Sequence, residues 1–507
     1  MAKQGKELRT KENTFYLFSW LIYAVITFFA LLNHEPNRDE AQVWLIVRDL
    51  DICSIYYELS AMGHPGLWYF ILLPFAKAGF PYITMLILHW IIGIAAAAIL
   101  LSRGNITPSL KIIFLFSYYM LFEYMVPARN YSLTILLLFI IGATYESRFS
   151  NPVRYALLIV ALYNTNTHSF GAASGLLLIY IIEAYKEKKL LLVKNAIFIM
   201  IAGMCSFIFQ LWPSLFEVSR NVTIKSTLIP AFNFNDFWVI VTGIQNAFLP
   251  VSSQYEEIKV ALFFTLFFII FLITLTQKKS IFLFMIISSG WLFYLFTTKL
   301  SGSWRHEGLL LIFILFSIWI STYYKKSEVY LFSNYFPRIK LTNLELSFNF
   351  FLTVCLAVNI IFGFKSILKE YRFSYSGAEE AARFIQDNHF DNAEIACYRS
   401  WRATALAPYL PKNKFWLIDR NEFGTYYKLD STYYKYGDAL TEEEVITKIK
   451  NKYPQKSILI FNEKLLRATN QAFHSKLLFE NKRVIWGSDD ERYYIYSIEF
   501  NTDSLTH

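Results

Sequence analysis

The sequence predicts a polytopic α-helical membrane protein of about 11 transmembrane helices with a small C-terminal α/β domain outside the membrane. Three observations predict it. The chain is 55% hydrophobic and 19% aromatic with a mean hydropathy of +0.35, more apolar surface than a soluble fold can cover. Apolar runs of spanning length recur from Phe15 to Phe364. From residue 365 onward the texture changes to frequent, nearly balanced charge and short alternating strands.

The first run, Phe15–Leu32, follows Lys3, Lys6, Arg9 and Lys11, lacks a small-residue cleavage site and is longer than a signal-peptide core. It reads as a retained signal-anchor helix. Further spans are expected at 82–101, 111–126, 131–145, 155–167, 169–185, 195–212, 258–276, 281–298, 308–324 and 347–364. Leu67–Phe75 is too short to cross and contains Pro74, so it is expected at the outer surface as an interfacial or re-entrant piece. With the N-terminus cytoplasmic, the inner segments hold more than twice the Lys and Arg of the outer loops, as the positive-inside rule demands. If Leu67–Phe75 crossed, Lys186–Lys189 and Lys325–Lys326 would fall outside. The expected location is the cell (plasma or inner) membrane. Domain boundaries follow: a transmembrane domain over 1–364 with outer loops 33–81 and 213–257, and an extracytoplasmic domain over 365–507.

In that last domain, strands are expected at Glu394–Tyr398, Lys414–Ile418, Ser457–Phe461, Arg483–Trp486 and Arg492–Ile498. Capping boxes at Ser376-Gly-Ala-Glu379 and Thr441-Glu-Glu-Glu444 start helices between them. Strands alternating with helices read as a small α/β domain, and no Gly-rich loop is present to cradle a nucleotide. No internal repeat is visible, which weakens an inverted-repeat transporter reading. Cys53, Cys205, Cys355 and Cys397 are scattered and show no metal-type spacing. The net charge of +9 is explained largely by inner loops facing anionic lipid and argues for no nucleic-acid partner.

This topology collects Asp39, Glu40, Arg48, His64, Glu123, Arg129, His168, Lys299, Arg305 and His306 in outer loops or at outer span ends. Asn37 can cap a helix whose first turn carries Asp39 and Glu40, and Ala41, Trp44, Leu45 and Leu50 give it an apolar side suited to the membrane surface. A helix N-terminus favours ionised carboxylates, and one at the water-membrane boundary can accept the proton of an incoming hydroxyl. Adjacent helical positions point about 100° apart, so one acid of the pair faces a reacting centre, and Asp39 is the choice. The plainer alternative is that both acids only complement the helix dipole.

Arg38-Asp39-Glu40-Ala41 after the first span, followed by Gly63-His64-Pro65-Gly66-Leu67-Trp68-Tyr69, resembles the first outer loop of the GT-C glycosyltransferases. More narrowly it is similar to the branch of protein O-mannosyltransferases and lipid A aminoarabinose transferases, where an Asp-Glu pair or a single Asp precedes a Lys-Pro-Pro-Leu-Tyr-Tyr-like stretch. The likeness covers most of the chain in architecture, but only the first loop carries a specific motif. It implies inverting transfer of a sugar from a polyprenyl-phosphate-sugar co-substrate to an acceptor on the outer face. By position, Asp39 would be the base, with Glu40 beside it. His64 would stand where the family's Lys contacts the donor phosphate, a departure, since His is charged only when its pKa is raised. Phosphate neutralisation must then be shared with an arginine. A second acid, for acceptor or metal contact, would fall on Glu123, a poor match. No cofactor follows with certainty; a divalent cation is the candidate, and the metal is unknown.

The remaining polar residues carry paired readings. Arg129 in Pro127-Ala-Arg-Asn-Tyr-Ser132 either snorkels or contacts donor phosphate. His168, in a short polar turn, is either a structural histidine or an acceptor or metal contact. Ser303-Trp-Arg-His-Glu307 is sharper: Arg305 offers a fixed fork for two phosphate oxygens, with His306 adjacent and Lys299 near. The loop 213–257, with Arg220, Lys225, Pro230, Phe232, Phe234, Phe237 and Trp238, is either a lid over the donor or a surface helix pair with interfacial aromatics.

The leading expectation is therefore an inverting, lipid-linked-sugar-dependent glycosyltransferase, whose acceptor is a glycan, a lipid or a protein hydroxyl. The Lys-, Ile- and Asn-rich usage hints at undecaprenyl phosphate as the carrier. The alternatives are a transporter or flippase of lipid-linked glycans, which calls for ionisable residues at mid-membrane, and a non-catalytic envelope assembly protein. Oligomeric state has no signature in the sequence.

Overall fold

The computed structural model describes residues 2–217, 234–250, 257–298, 302–327, 341–390, 393–429, 440–465, 469–470, 473–487 and 491–501. The chain divides into two compact units. Met1–Leu31, Leu88–Gln210 and Lys225–Ile367 form the first; Leu32–Ile87, Leu211–Ile224 and Leu368–His507 form the second.

The helices run in order as α1 (Ala2–Asn33), α2 (Arg38–Asp49), α3 (Ile52–Met62), α4 (Leu67–Lys77), α5 (Ile83–Arg103), α6 (Pro108–Leu115), α7 (Tyr131–Thr144), α8 (Pro152–Tyr163) and α9 (Phe170–Lys186). They continue as α10 (Leu190–Glu217), α11 (Phe234–Phe248), α12 (Ile258–Leu275), α13 (Lys279–Thr298), α14 (Trp304–Ser321) and α15 (Leu341–Arg372). The last three are α16 (Ala378–Asp387), α17 (Ser400–Leu406) and α18 (Glu442–Lys452).

Among the described residues, eight helical segments are long and apolar enough to cross a membrane: Glu12–Asn33, Ile83–Arg103, Thr167–Lys186, Leu190–Leu211, Ile258–Leu275, Lys279–Thr298, Trp304–Ser321 and Leu341–Arg372. Their outward faces carry bare apolar side chains, as Phe15, Phe18, Ile22 and Val25 of α1 and Phe263 and Leu266 of α12 do. Surface of that kind needs hydrocarbon as solvent, and the chain is a multi-pass α-helical membrane protein with a small C-terminal sheet domain.

The predicted runs 111–126, 131–145 and 155–167 take shorter forms. α7 and α8 have 14 and 12 residues, about 21 and 18 Å at 1.5 Å per residue, against a hydrocarbon core of about 30 Å. The run 111–126 breaks after α6 into a π turn at Tyr119–Glu123. The extra residue of that turn stacks Tyr119 on Tyr124 at 5.7 Å and lets the Tyr124 hydroxyl donate to the Arg305 carbonyl at 2.8 Å. α4 is 11 residues long with Pro74 inside it, consistent with a piece too short to cross. Inside the first unit α14 is buried almost throughout, from His306 to Ser321. α9 approaches α13 closely because Gly171 leaves no room for a side chain: a β-carbon there would stand 2.5 Å from that of Trp291.

Of the outer loop 213–257, Arg220, Lys225, Pro230 and Phe232 lie outside the described residues. Phe234–Phe248 is a helix whose second half, Val241 to Phe248, is buried, and Asn359 closes its end by donating to the Phe248 carbonyl at 2.6 Å. The segment that opened as a lid or a surface helix pair therefore contains an inserted helix.

The C-terminal domain holds a seven-stranded sheet in the order β3-β2-β1-β4-β7-β6-β5. Its strands are β1 (Ile395–Cys397), β2 (Phe415–Leu417), β3 (Glu422–Gly424), β4 (Lys456–Phe461), β5 (Thr469–Asn470), β6 (Phe473–Glu480) and β7 (Tyr494–Phe500). β1 runs parallel to β2 and β4, and the other pairings are antiparallel. Tyr398, Trp416, Ile418, Val445, Ile449, Leu459 and Tyr496 form one of its cores. Four of the expected strands are present. The fifth, Arg483–Trp486, makes only an isolated bridge from Ile485 to Ser374, and β6 escapes the sequence because His474 and Lys476 interrupt its apolar character. The capping box at Thr441 forms, with Glu444 reaching back to the Thr441 amide. The one at Ser376 does not: its hydroxyl donates to Glu491 at 2.6 Å, and α16 begins after Gly377.

Candidate functional site

The polar loop after α1 belongs to the second unit, and its geometry begins with Asn37. The Asn37 side chain accepts from the amides of Asp39 and Glu40 at 3.2 and 3.4 Å, while its own amide donates to the Glu40 carboxylate at 3.1 Å. This is the capping box that starts α2. Its consequence is a division of labour between neighbouring acids.

Glu40 turns inward. Its side chain is fully buried, and one oxygen meets His34 Nε2 at 3.1 Å; His34 Nδ1 meets Glu370, at the end of α15, at 3.2 Å. Burial alone would push the His34 imidazolium toward neutrality, but the two carboxylates outweigh it and raise its pKa to about 10. A charged imidazolium thus bridges two acids, with Tyr375 against its ring at 4.6 Å.

Asp39 turns the other way. Its side chain is 32% exposed, and Arg38 Nε lies 4.0 Å from one oxygen. Arg38 lies over Trp401 with its guanidinium carbon 4.3 Å from the ring centre, and its amide donates to the buried Glu491 at 2.9 Å. Burial raises the Glu491 carboxyl to about 7, and likewise raises Glu35, which has Arg483 at 3.7 Å. Farther along α2, Trp44, Leu45, Ile46 and Val47 are packed inside protein, so the apolar side expected on the membrane surface is a core face.

His64 lies in the same unit, half-buried in the turn between α3 and α4, which Gly63 enters in the left-handed conformation at φ 68°. Arg129, Glu123, His168, Arg305 and His306 belong to the first unit. There His168 and His306 stack at 4.5 Å and 13°, and each ring lies 6.1 Å from Tyr131. His306 Nδ1 is 3.1 Å from the Ser303 hydroxyl. Glu123, at the end of the π turn, accepts from the Tyr118 hydroxyl at 2.6 Å. Arg129 is half-buried ahead of α7, and Arg305 is half-buried in the first turn of α14. Lys299 lies outside the described residues.

The structure thus brings His168 and His306 together, and Asp39 and Glu40 with partners the sequence did not reveal. His34, Glu370, Ser376, Trp401 and Glu491 are the residues that sequence reasoning missed. His34 stands in the loop that drew attention, but nothing near it identifies Glu370 or Glu491 as partners, and Glu491 closes an acidic run, Asp489-Asp490-Glu491, that reads as solvated surface. Among the described residues no group of three or more His, Cys, Asp and Glu side chains is arranged to hold a metal ion.

No family profile and no curated protein sequence matches the chain. Among solved structures, the chain is similar to the crystal structure of ArnT from Cupriavidus metallidurans bound to undecaprenyl phosphate, with a TM-score of 0.49. The two are 11% identical over 96% of this chain and 98% of that one.

Proposed function

We propose that this protein is an inverting glycosyltransferase of the GT-C type, moving a sugar from a polyprenyl-phosphate donor to an acceptor hydroxyl on the outer face of the membrane. The observation that carries the reading is the split between the two acids. Glu40 is committed to His34 and to the cap, whereas Asp39 keeps a partly exposed carboxylate in the motif that resembles the family's first loop.

In this reading Asp39 takes the proton of the acceptor hydroxyl as its oxygen attacks the anomeric carbon. The bond from that carbon to the phosphate oxygen breaks, and its electron pair leaves with the polyprenyl phosphate. Positive or hydrogen-bonding groups lower the cost of that leaving charge, the role assigned from sequence to His64, Arg129, Lys299, Arg305 and His306. Glu40 is a positioning acid in this scheme. The same reading assigns Glu123 and His168 to contact with the acceptor or a divalent cation.

The test uses purified protein in lipid with a panel of polyprenyl-phosphate sugars and acceptors, reading released polyprenyl phosphate. Asp39→Asn keeps the shape but cannot take the proton, and turnover is expected to fall roughly 10²–10⁴-fold with donor binding retained. Near-normal turnover in that variant removes the catalytic assignment and brings the transport and assembly readings forward.

A further inference from the structure

We infer that the C-terminal α/β domain positions Asp39, through Glu491 and Trp401 acting on the first turn of α2; the inference rests on the reaction proposed above. The argument starts from a shortage. A helix leaves its first amides without intrahelical acceptors, and each must find another partner. Local sequence provides for three of them around Asp39: the Asn37 side chain takes the amides of Asp39 and Glu40, and Glu40 takes that of Asn37. The amide of Arg38 is left, and it donates at 2.9 Å to Glu491, 453 residues away.

Glu491 is itself fixed. Its other oxygen accepts from the Ser376 hydroxyl at 2.6 Å, and its carbonyl accepts from the Gly377 amide at 3.1 Å. The residue has no exposed surface, so the carboxyl that closes the α2 terminus is held inside the protein. Beside it, the Arg38 guanidinium rests on Trp401, at the start of α17, and so holds a cation at a set place next to Asp39.

The grip continues down one face of the helix. Gln42 donates to the Tyr427 carbonyl at 2.6 Å and accepts from its amide at 3.3 Å, and Thr425 donates to Asp49. Positions 38, 42 and 49 fall within about 40° of one another at 100° per residue. Asp39 points about 100° from Arg38. Holding one face therefore fixes the rotation and height of the helix, with Asp39 on another face. A general base works only within hydrogen-bond reach of its proton, and a shift of about 1 Å can cost on the order of 10²-fold in rate.

The experiment compares Glu491→Ala with Glu491→Gln, and Trp401→Ala with Trp401→Phe, in the donor-panel assay, normalised to folded protein. The alanine variants are expected to lose about 10–100-fold in kcat with donor KM changed less than about threefold. Gln, which can still accept from the Arg38 amide, and Phe, which still offers a ring, are expected to restore most of it. If Glu491→Ala does not accumulate, Gln42→Ala, which removes only the contact at Tyr427, carries the comparison. Hydrogen exchange across residues 38–47 reads the grip without turnover, and it should quicken in each alanine variant. Wild-type kcat in the alanine variants, in a preparation where Asp39→Asn is inactive, overturns the inference while leaving the reaction intact. If Asp39→Asn stays active, the reaction reading falls and exchange alone judges the grip; unchanged exchange then overturns it.

Discussion

In the unit that holds most of the spanning helices, many serine and threonine hydroxyls return to their own backbone. Ser288 donates to the Phe284 carbonyl at 2.7 Å, Ser289 to Met285 at 2.6 Å, and Thr265 to Ala261 at 2.8 Å, each four residues back. In the unit built from the first loop and the C-terminal domain, polar groups find partners hundreds of residues away: His34 with Glu370, Arg38 with Glu491, Gln42 with Tyr427. The difference follows from what each must satisfy. A hydroxyl among packed spanning helices needs one acceptor, and its own helix can provide it. A buried carboxylate or imidazolium needs a counter-charge and several hydrogen bonds, which a short stretch of chain cannot supply. The second unit is therefore where single substitutions should propagate, and where the side chain left partly open, Asp39, owes its setting to remote residues.

The largest break in that contrast should come from Glu40→Ala. It leaves His34 with one carboxylate and the Asn37 amide without its acceptor, and the expected loss is about 3–5 kcal/mol in the unfolding free energy of detergent-purified protein. Ser289→Ala, which removes a bond made to its own helix, should cost no more than about 1 kcal/mol. Equal losses in the two variants would erase the distinction between the units.

Arg305→Ala asks whether the first unit carries chemistry as well as lipid contact. Loss of a charge-assisted phosphate contact should weaken binding of a polyprenyl-phosphate sugar about 10–100-fold, with Arg305→Lys recovering only part. Unchanged donor affinity by titration would take Arg305 out of the site.

The charged network also predicts a pH dependence of the second unit. His34 is raised from 6.5 to about 10, so its contribution is complete below 6.5 and is lost as pH rises through 10. Glu35 and Glu491 are each raised from 4.5 to about 7, so the folded state binds more protons between those values and stability falls there too as pH rises. Stability should thus decline from pH 5 to 10, by no more than about 1.4 kcal/mol per pH unit for each group. His34→Gln should flatten the decline above pH 7, and thermal scans across that range in which the variant keeps the wild-type slope would refute the imidazolium bridge.

Within the second unit the smallest expected effect is that of Asn37→Ala, about 1 kcal/mol for loss of a helix cap. Its value lies in the ordering, since Glu40 serves both the cap and His34. If Asn37→Ala costs as much as Glu40→Ala in parallel denaturation, the cap rather than the buried charge holds the loop.

The sequence by itself determined the class, because hydrocarbon-length apolar runs and a charged, strand-rich tail leave a chain few other ways to satisfy its backbone. It also determined the cap at Asn37 and the box at Thr441, since both are local and need only residues three apart. Tertiary structure decided where local preference met a stronger remote partner. Ser376 donates its hydroxyl to Glu491 and accepts only from the Ala378 amide, so the box with Glu379 does not close; the run 111–126 yields a turn of π helix so that Tyr119 and Tyr124 can pack, and 234–248 folds as an inserted helix. The choice between Asp39 and Glu40 was made the same way. Both acids sit in the same favourable first turn, and only the approach of His34, Glu370 and Glu491 turns one inward and leaves the other partly open, because desolvating a carboxylate is tolerable solely where counter-charges and donors already wait.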